Sequence, residues 1–518
     1  APNGGTRDSL APKFLGSNID TTRLNVSRTV KELRLDFDEY VMLKDFNKNF
    51  NVSPPIKKIK KVIPSNLANK YVLIQWEDTL QANTTYNFNF GNAIVDNNES
   101  NPLPYFNFAF STGDKIDDLF VSGTVKDAMT LIKENQTAKD NKMVVGLYKA
   151  GENLDYKQKP DYITKVDEEN YFELNFLPKG EFVIIAFDDE NQNSVYDAGK
   201  EKVSFLKEKI TLDSTSVRGL KLKLYPSKKV VKYKESKAIN GGLLMTFEGN
   251  PETVEVKSLS EELKDFKVTH AKRSDSVNIW FDAEKSNLGG TVSKQVKLSY
   301  FTPTISDTIS VSYKAVKDEF KLSNEAGNLI APENNFVINT SLPIENLNTS
   351  SWKLESDSIA QDFTAKISEK NPFKILVNSS FKPTKKYVLT IPKETVSSYY
   401  SSNDKSFQFQ FEIDKPENYG SFTAVIKNKP TAKFWVELTN EKGEILYSQF
   451  TNASEVSFKN LKPATYIARI RVDNNGNGFW DEADFAQNIA AEDVYIFEKE
   501  INVRPLWEIK EDWELINH

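Results

Sequence analysis

An acidic loop that occurs twice constrains this chain more than any other feature. The first copy runs Asp189-Glu-Asn191-Gln-Asn193-Ser-Val195-Tyr-Asp197, and the second Asp473-Asn-Asn475-Gly-Asn477-Gly-Phe479-Trp-Asp481. Each follows an apolar run with the composition of a strand, Phe182 to Phe187 in one case and Tyr466 to Val472 in the other. Each run follows a short turn, Leu177-Pro-Lys-Gly180 or Leu461-Lys-Pro-Ala464, and the copies align without a gap as far as Asp197 and Asp481. A strand and an oxygen-rich loop repeated together predict a duplicated domain type. That points to a modular β-protein more than to an enzyme.

A chain of 518 residues is too long for one core, so several domains are expected. Its 34 Phe and 20 Tyr supply apolar surface for several small β-domains. The net charge of −6 lacks the basic surplus of a nucleic-acid binder, and no nucleic-acid partner is expected. No apolar run is long enough to span a bilayer. The absence of cysteine removes disulfides, thiolate catalysis and cysteine-held metals. Histidine is confined to His270 and His518, so an HExxH zinc site is impossible and a Ser-His-Asp triad would rest on His270 alone. His270 lies in a polar alternating stretch and reads as an ordinary surface residue. Neither a P-loop nor a Rossmann glycine fingerprint occurs. The chain opens at Ala1 without a methionine, and residues 1–11 are small, polar and rich in Gly and Pro. They read as a tether left after removal of a signal peptide.

Period-two alternation sets the rest of the organisation. Residues 12–113 contain Leu33-Arg-Leu-Asp-Phe37, Tyr86-Asn-Phe88-Asn-Phe90 and Phe106-Asn-Phe108-Ala-Phe110, with aromatic and polar positions on opposite faces. Residues 114–227 hold Leu119 to Val125, Val144 to Tyr148, Tyr171 to Phe176, the first acidic loop and Leu220-Lys-Leu-Lys-Leu224. Residues 228–317 hold Gly242 to Phe247, Val277 to Phe281 and Ile309 to Tyr313; the stretch Val254 to Phe266 reads equally as a short helix or a strand and turn. Residues 318–415 echo the first segment: Phe381 to Ile391 parallels Leu80 to Phe90, each a turn feeding a strand led by Tyr. Residues 416–518 echo the second. The order A-B-C-A-B, with no long helical pattern, predicts an all-β chain of serial β-sandwich domains.

The segment 12–113 resembles bacterial Ig-like domains of the SbsA type through Leu80-Gln-Ala-Asn-Thr-Thr-Tyr86, Ile94-Val-Asp-Asn-Asn98 and Phe108-Ala-Phe-Ser-Thr-Gly113. Segment 318–415 shares the approach to its Tyr-led strand, Lys382 to Tyr387. Segments 114–227 and 416–518 look like transthyretin-like (carboxypeptidase-regulatory-like) sandwiches, on Ser122-Gly-Thr-Val125, Tyr171-Phe-Glu-Leu and the Phe182 strand. The layout is similar to Ig-like lipoproteins of Bacteroidota, whose C-termini carry a loop like Asp473 to Asp481 and a tail like Ile501-Asn-Val-Arg-Pro-Leu-Trp507. That resemblance implies an outer-membrane or surface protein, lipid-anchored through a cysteine absent from this sequence.

The loops also carry the chemistry. Calcium takes about six to eight hard oxygen ligands, and alternate Asp and Asn positions supply them. The second loop offers Asp473, Asn475, Asn477, the Phe479 carbonyl and Asp481, with Asp484 as the closing acid and Gly478 at a sharp turn. The first offers Asp189, Asn191, Asn193, the Val195 carbonyl and Asp197, with Lys200 where the acid would fall and Glu201 beside it. A bound calcium would clamp the loop to its sandwich; a solvated Asx-rich turn is the alternative. The run Ile56 to Val62 holds four lysines and reads as a lysine-guarded edge strand before a lipid contact. The Phe106/Phe108/Phe110 ladder reads as core before a sugar platform. Several Asp-Ser/Thr-apolar triplets, Asp8, Asp78, Asp275 and Asp307 among their first residues, resemble the O-glycosylation signal of exported Bacteroidota proteins. The reading that follows is a non-enzymatic interaction scaffold, such as an accessory subunit of an outer-membrane protein insertion or export complex. The alternatives are a carbohydrate-binding or adhesive module, and a hydrolase using carboxylates such as Asp188 and Asp189.

Overall fold

The computed structural model describes residues 8–132 and 142–516. Residues 1–7 of the expected tether lie outside the described residues. Strands dominate, and among the described residues the helical elements are one turn of α-helix, Phe46–Asn49, and the 3-10 turns Thr349–Ser351 and Pro416–Asn418. The chain forms two compact units. One holds the residues up to Lys228 together with Ile470–Ile496; the other holds Lys229–Arg469 with Phe497–Ile516.

In the first unit, one sheet orders Phe14–Ser17, Glu32–Leu43, Asn69–Trp76 and Ile59–Ile63, and Ile94–Asp96 also pairs with Glu32–Leu43. It faces a sheet of Asn51–Ser53, Thr85–Gly91 and Phe106–Ser111. The alternation in the sequence is the packing rule here. Tyr86, Phe88, Phe90, Phe108 and Phe110 are buried with Leu33, Leu35 and Phe37 in one core. Tyr86 and Phe110 stack at 5.9 Å, and Phe88 and Phe110 at 5.8 Å. The lysine-rich Ile59–Ile63 is the sheet's edge strand, with Lys60 and Lys61 exposed, a placement that discourages pairing with another chain. The turn ahead of Thr85–Gly91 is pinned by the Tyr86 hydroxyl, which accepts the Gln81 N–H at 2.8 Å.

A second sandwich in this unit sets Tyr162–Lys165, Met143–Lys149, Gly180–Asp188 and Val203–Phe205 in order, with Ile210–Leu212 also on Gly180–Asp188. The facing sheet is Tyr171–Leu177, Leu119–Asp127 and Val217–Leu224, with Val217–Leu224 parallel to Leu119–Asp127. The strands Met143–Lys149 and Gly180–Asp188 are buried on both faces. Val145, Leu147, Ile184 and Ala186 point into the sandwich core. Val144, Tyr148, Ile185 and Phe187 pack on the other face with Ala483 and Phe485. Double burial is the reason these two strands read as continuous apolar runs instead of alternating.

The second unit begins with a sandwich of Lys232–Ile239, Gly242–Glu248, Ser276–Trp280 and Lys267–Thr269 against Glu255–Ser258, Lys294–Phe301 and Ser306–Tyr313. The stretch left open in the sequence is therefore a strand, Glu255–Ser258, followed by turns. The next sandwich sets Leu322–Asn324, Phe336–Thr340, Lys374–Ser379 and Phe363–Ile367 against Leu329–Ile330, Phe407–Ile413, Lys386–Ile391, Lys353–Ser356 and Ile359–Ala360. Its Tyr387 hydroxyl accepts the Lys382 N–H at 2.9 Å, repeating the Tyr86 device.

The last sandwich has the sheets Glu455–Leu461, Gly420–Lys427, Glu508–Glu514 and Ile445–Thr451, Phe434–Thr439, Ala464–Val472, Val494–Ile496, with Ile501–Val503 also on Ala464–Val472. Strand for strand this is the order of the second sandwich, including the parallel pairing of its first and last strands. The duplication read from the loops thus extends to the whole topology. The strand Ala464–Val472 is also where the chain passes from the second unit into the first.

Candidate functional site

The two acidic loops fold alike because their oxygens hold their own backbone. Asp189 and Asp473 are buried, 5% and 3% exposed. Asp189 accepts the N–H groups of Asn193 at 3.1 Å and Ser194 at 3.0 Å. Asp473 accepts those of Asn477 at 3.1 Å and Gly478 at 2.9 Å, in the same register. The amide oxygens follow suit. Asn191 accepts from the Asn193 N–H and Asn193 from that of Val195; Asn475 accepts from Asn477 and Asn477 from Phe479. Two positions in each loop take left-handed backbone. They are Gly476 and Gly478 in the second copy, and Gln192 and Ser194, at φ 57° and 62°, in the first. The glycine copy adopts these angles without the Cβ crowding that the first copy carries.

A second carboxylate closes each loop. Glu201, 2% exposed, accepts the N–H groups of Glu190 at 3.0 Å and Asp197 at 2.8 Å. Glu492, 7% exposed, accepts those of Asn475 at 3.1 Å and Asp481 at 2.9 Å. Burial pushes the Glu201 carboxyl up to about 7, against the pull of those two N–H groups, and raises Glu492 and Asp189 by the same cause.

Of the residues assigned to metal from the sequence, Asp473, Asn475, Asn477 and Asp481 come together. Both amide nitrogens, of Asn475 and Asn477, donate to one Asp481 oxygen at 2.7 Å. Asp189, Asn191 and Asn193 gather around the backbone N–H groups they accept, while Asp197 meets the Lys200 ammonium at 3.4 Å. Val195 and Phe479 supply N–H groups to the asparagines before them. Asp484 belongs to the next turn, where it accepts the Gln487 N–H at 3.2 Å. The residue that closes the second loop is Glu492, which sequence reading missed. A signal was present: Glu201 and Glu492 each stand two residues ahead of the following strand, at Val203 and Val494. Among the described residues no group of three or more His, Cys, Asp or Glu side chains clusters as metal ligands. The side-chain oxygens of Asp189, Asn191, Asn193, Asp473, Asn475 and Asn477 already accept backbone N–H groups within their loops.

The second loop is longer because residues 483–491 leave it to pack on the second sandwich. The Phe485 ring meets Tyr156 at 4.5 Å, Phe205 at 5.2 Å and Tyr196 at 5.8 Å. Ala483 exchanges backbone hydrogen bonds with Pro226 and Lys228 at 3.0 and 2.8 Å. His270 lies apart, its Nε2 2.8 Å from the Ser274 carbonyl.

The duplicated sandwiches differ at one edge. In the second sandwich the edge strand Tyr162–Lys165 is largely buried, and its Ile163 N–H donates to Ser53 of the first sandwich at 3.2 Å. The equivalent edge strand of the last sandwich, Ile445–Thr451, is mostly exposed. It has no charged residue and no proline, and Ile445, Leu446 and Phe450 are 46%, 49% and 44% exposed. Phe450 stacks on Trp435 at 4.6 Å.

Residues 8–112 match the bacterial Ig-like domain family. No curated protein matches the chain. Among solved structures, the S-layer protein rSbsC(31-844) is 12% identical over 95% of this chain and 67% of its own, with a TM-score of 0.16. SGBP-B of the Bacteroides ovatus mixed-linkage glucan utilization locus, solved with a mixed-linkage heptasaccharide, is 10% identical over 65% of this chain and 86% of its own, at 0.21. BcpA, the major pilin subunit of Bacillus cereus, is 12% identical over 77% and 99%, at 0.14. Superpositions this poor carry no argument about activity. The class defined here is a serial β-sandwich protein with a bacterial Ig-like domain near its N-terminus.

Proposed function

We propose that this chain is a non-enzymatic interaction scaffold at the cell surface, held at the outer membrane by a lipid on a cysteine outside this sequence. Its partner on this reading is an outer-membrane protein of an insertion or export complex. The observation that carries the proposal is the bare edge Ile445–Thr451. An exposed strand edge offers a row of backbone donors and acceptors to another strand. Two other edges are guarded, Ile59–Ile63 by lysines and Tyr162–Lys165 by cover. An unguarded, uncharged edge fits an extended segment of a partner.

The test is native co-purification of the lipidated protein. A stoichiometric barrel partner that is lost in a Leu446→Lys/Phe450→Lys variant of unchanged melting temperature supports the proposal. Absence of any stoichiometric partner, or a partner indifferent to the variant, refutes it. On the same reading, calcium in the 473–492 loop, and more weakly in the 189–201 loop, serves as a structural clamp. Equilibrium dialysis at millimolar calcium tests that, and no uptake removes it.

A further inference from the structure

A cleft of about 690 Å³ opens in the first unit, between the outer face of the sheet carrying Thr85–Gly91 and the edge strands Tyr162–Lys165 and Tyr171–Leu177. Its volume lies within the usual range of about 300–1,000 Å³ for ligand sites. Alternation built its polar wall: the residues between the buried Tyr86, Phe88 and Phe90 are Asn87 and Asn89, joined by Asn107 from the neighbouring strand. From the structure we infer that this cleft binds a short neutral oligosaccharide, a function independent of the partner edge.

Three observations lead there. The first is the hydrogen-bonding inventory. Asn89 uses its amide oxygen on the Gly91 N–H at 2.9 Å, and Asn92 on the Tyr105 N–H at 3.0 Å. Among the described residues neither amide nitrogen donates, so both are offered to the cleft. The Asn87 amide donates to the Asn107 oxygen at 3.0 Å and holds the two side chains of the wall together. A wall presenting amide donors suits hydroxyl groups, whose oxygens accept hydrogen bonds.

The second is Tyr105. It is 67% exposed and stands in left-handed backbone at φ 51°, uncommon for a bulky side chain. Its N–H is held by Asn92, and its carbonyl accepts from Asn107 at 3.0 Å. The chain therefore spends two asparagines to fix an aromatic ring at the mouth of the cleft. Tyr171, 40% exposed, provides a further ring, its hydroxyl donating to Glu173 at 2.6 Å. Rings of this kind pack against the apolar faces of sugars.

The third is charge. The lining has one cation, Lys165, against Asp167, Glu168 and Glu173. That balance disfavours phosphorylated or acidic ligands and leaves neutral ones.

The test is a microarray of neutral glycans with the full-length protein, followed by calorimetry with the best hit. A Tyr105→Ala variant removes the ring, and Asn89→Asp keeps the Gly91 cap while removing the amide donor. We expect each to weaken binding about tenfold with an unchanged melting temperature. Lack of any neutral-glycan binding at millimolar concentration overturns the inference. So does binding by both variants as tight as that of the unmodified protein, or a cleft that selects peptides instead. Co-purification of a protein partner should be indifferent to Tyr105→Ala, which separates failure here from failure of the scaffold reading.

Discussion

Replacing Asp189 or Asp473 by asparagine is the sharpest perturbation of the duplicated loops. Each aspartate holds two backbone N–H groups, one per oxygen, at 2.9 to 3.1 Å. The isosteric amide keeps one acceptor and turns its NH₂ toward the other N–H. The loss is one charge-assisted hydrogen bond in a buried site, about 1.5–3 kcal/mol. Amides at 193–194 and 477–478 should then exchange about 10- to 100-fold faster in the variants, since 1.4 kcal/mol is about tenfold. Because the two bond sets match, the effects should be of equal size when calcium is removed with EDTA. Hydrogen exchange read by mass spectrometry on the full chain measures this locally, without requiring two-state unfolding of a multidomain protein. A change below about threefold in either loop would refute the reasoning that the carboxylates act as backbone clamps. Adding calcium then asks a separate question: extra protection at 477–478 in the unmodified chain, lost in Asp473→Asn, reports metal.

Further outcomes follow from single sites. Glu201 is held up at about 7 from 4.5, so its favourable contribution is complete below pH 4.5 and disappears as pH rises through 7, roughly 3 kcal/mol in all. Glu201→Gln should flatten that dependence, checked by melting at pH 5 and 8 in EDTA; an unchanged slope counts against it. Arg469 meets Glu437 at 2.7 Å with both side chains buried. Arg469→Met should cost about 3–5 kcal/mol by taking the counter-charge from a buried carboxylate, while Glu437→Leu/Arg469→Met recovers much of it, as urea titrations would show. Gly478→Ala forces a side chain into left-handed backbone and should cost about 1–2 kcal/mol, whereas Ser194→Gly should be neutral or slightly stabilising. Thermal scans of the two variants side by side test that contrast.

The half-buried strands were legible because one face of each meets a core, and Tyr86-Asn-Phe88-Asn-Phe90 prints that directly. The doubly buried strands at Met143–Lys149 and Gly180–Asp188 showed as apolar runs, but nothing in them tells what covers their outer face. Phe485 does so from a segment almost three hundred residues downstream, a separation that no local pattern encodes. The loops were legible as far as their gapless alignment ran. Glu492 was hidden because the excursion of residues 483–491 displaces it from the position Glu201 occupies, so the nearer Asp484 took its place in the reading. The cleft stayed invisible because its asparagines were counted as the solvent side of a sheet, and only the tertiary structure sets strands 162–165 and 171–177 opposite them.

The parallel pairing of first and last strands in the second and the last sandwich has a mechanical consequence. Val217–Leu224 lies beside Leu119–Asp127, and Glu508–Glu514 beside Gly420–Lys427, each pair running the same way. Tension applied at the two ends of such a sandwich pulls these neighbours past each other along their length. The hydrogen bonds of the ladder are then loaded together in shear instead of opening one at a time like a zip. A module built this way resists stretching by its connectivity alone.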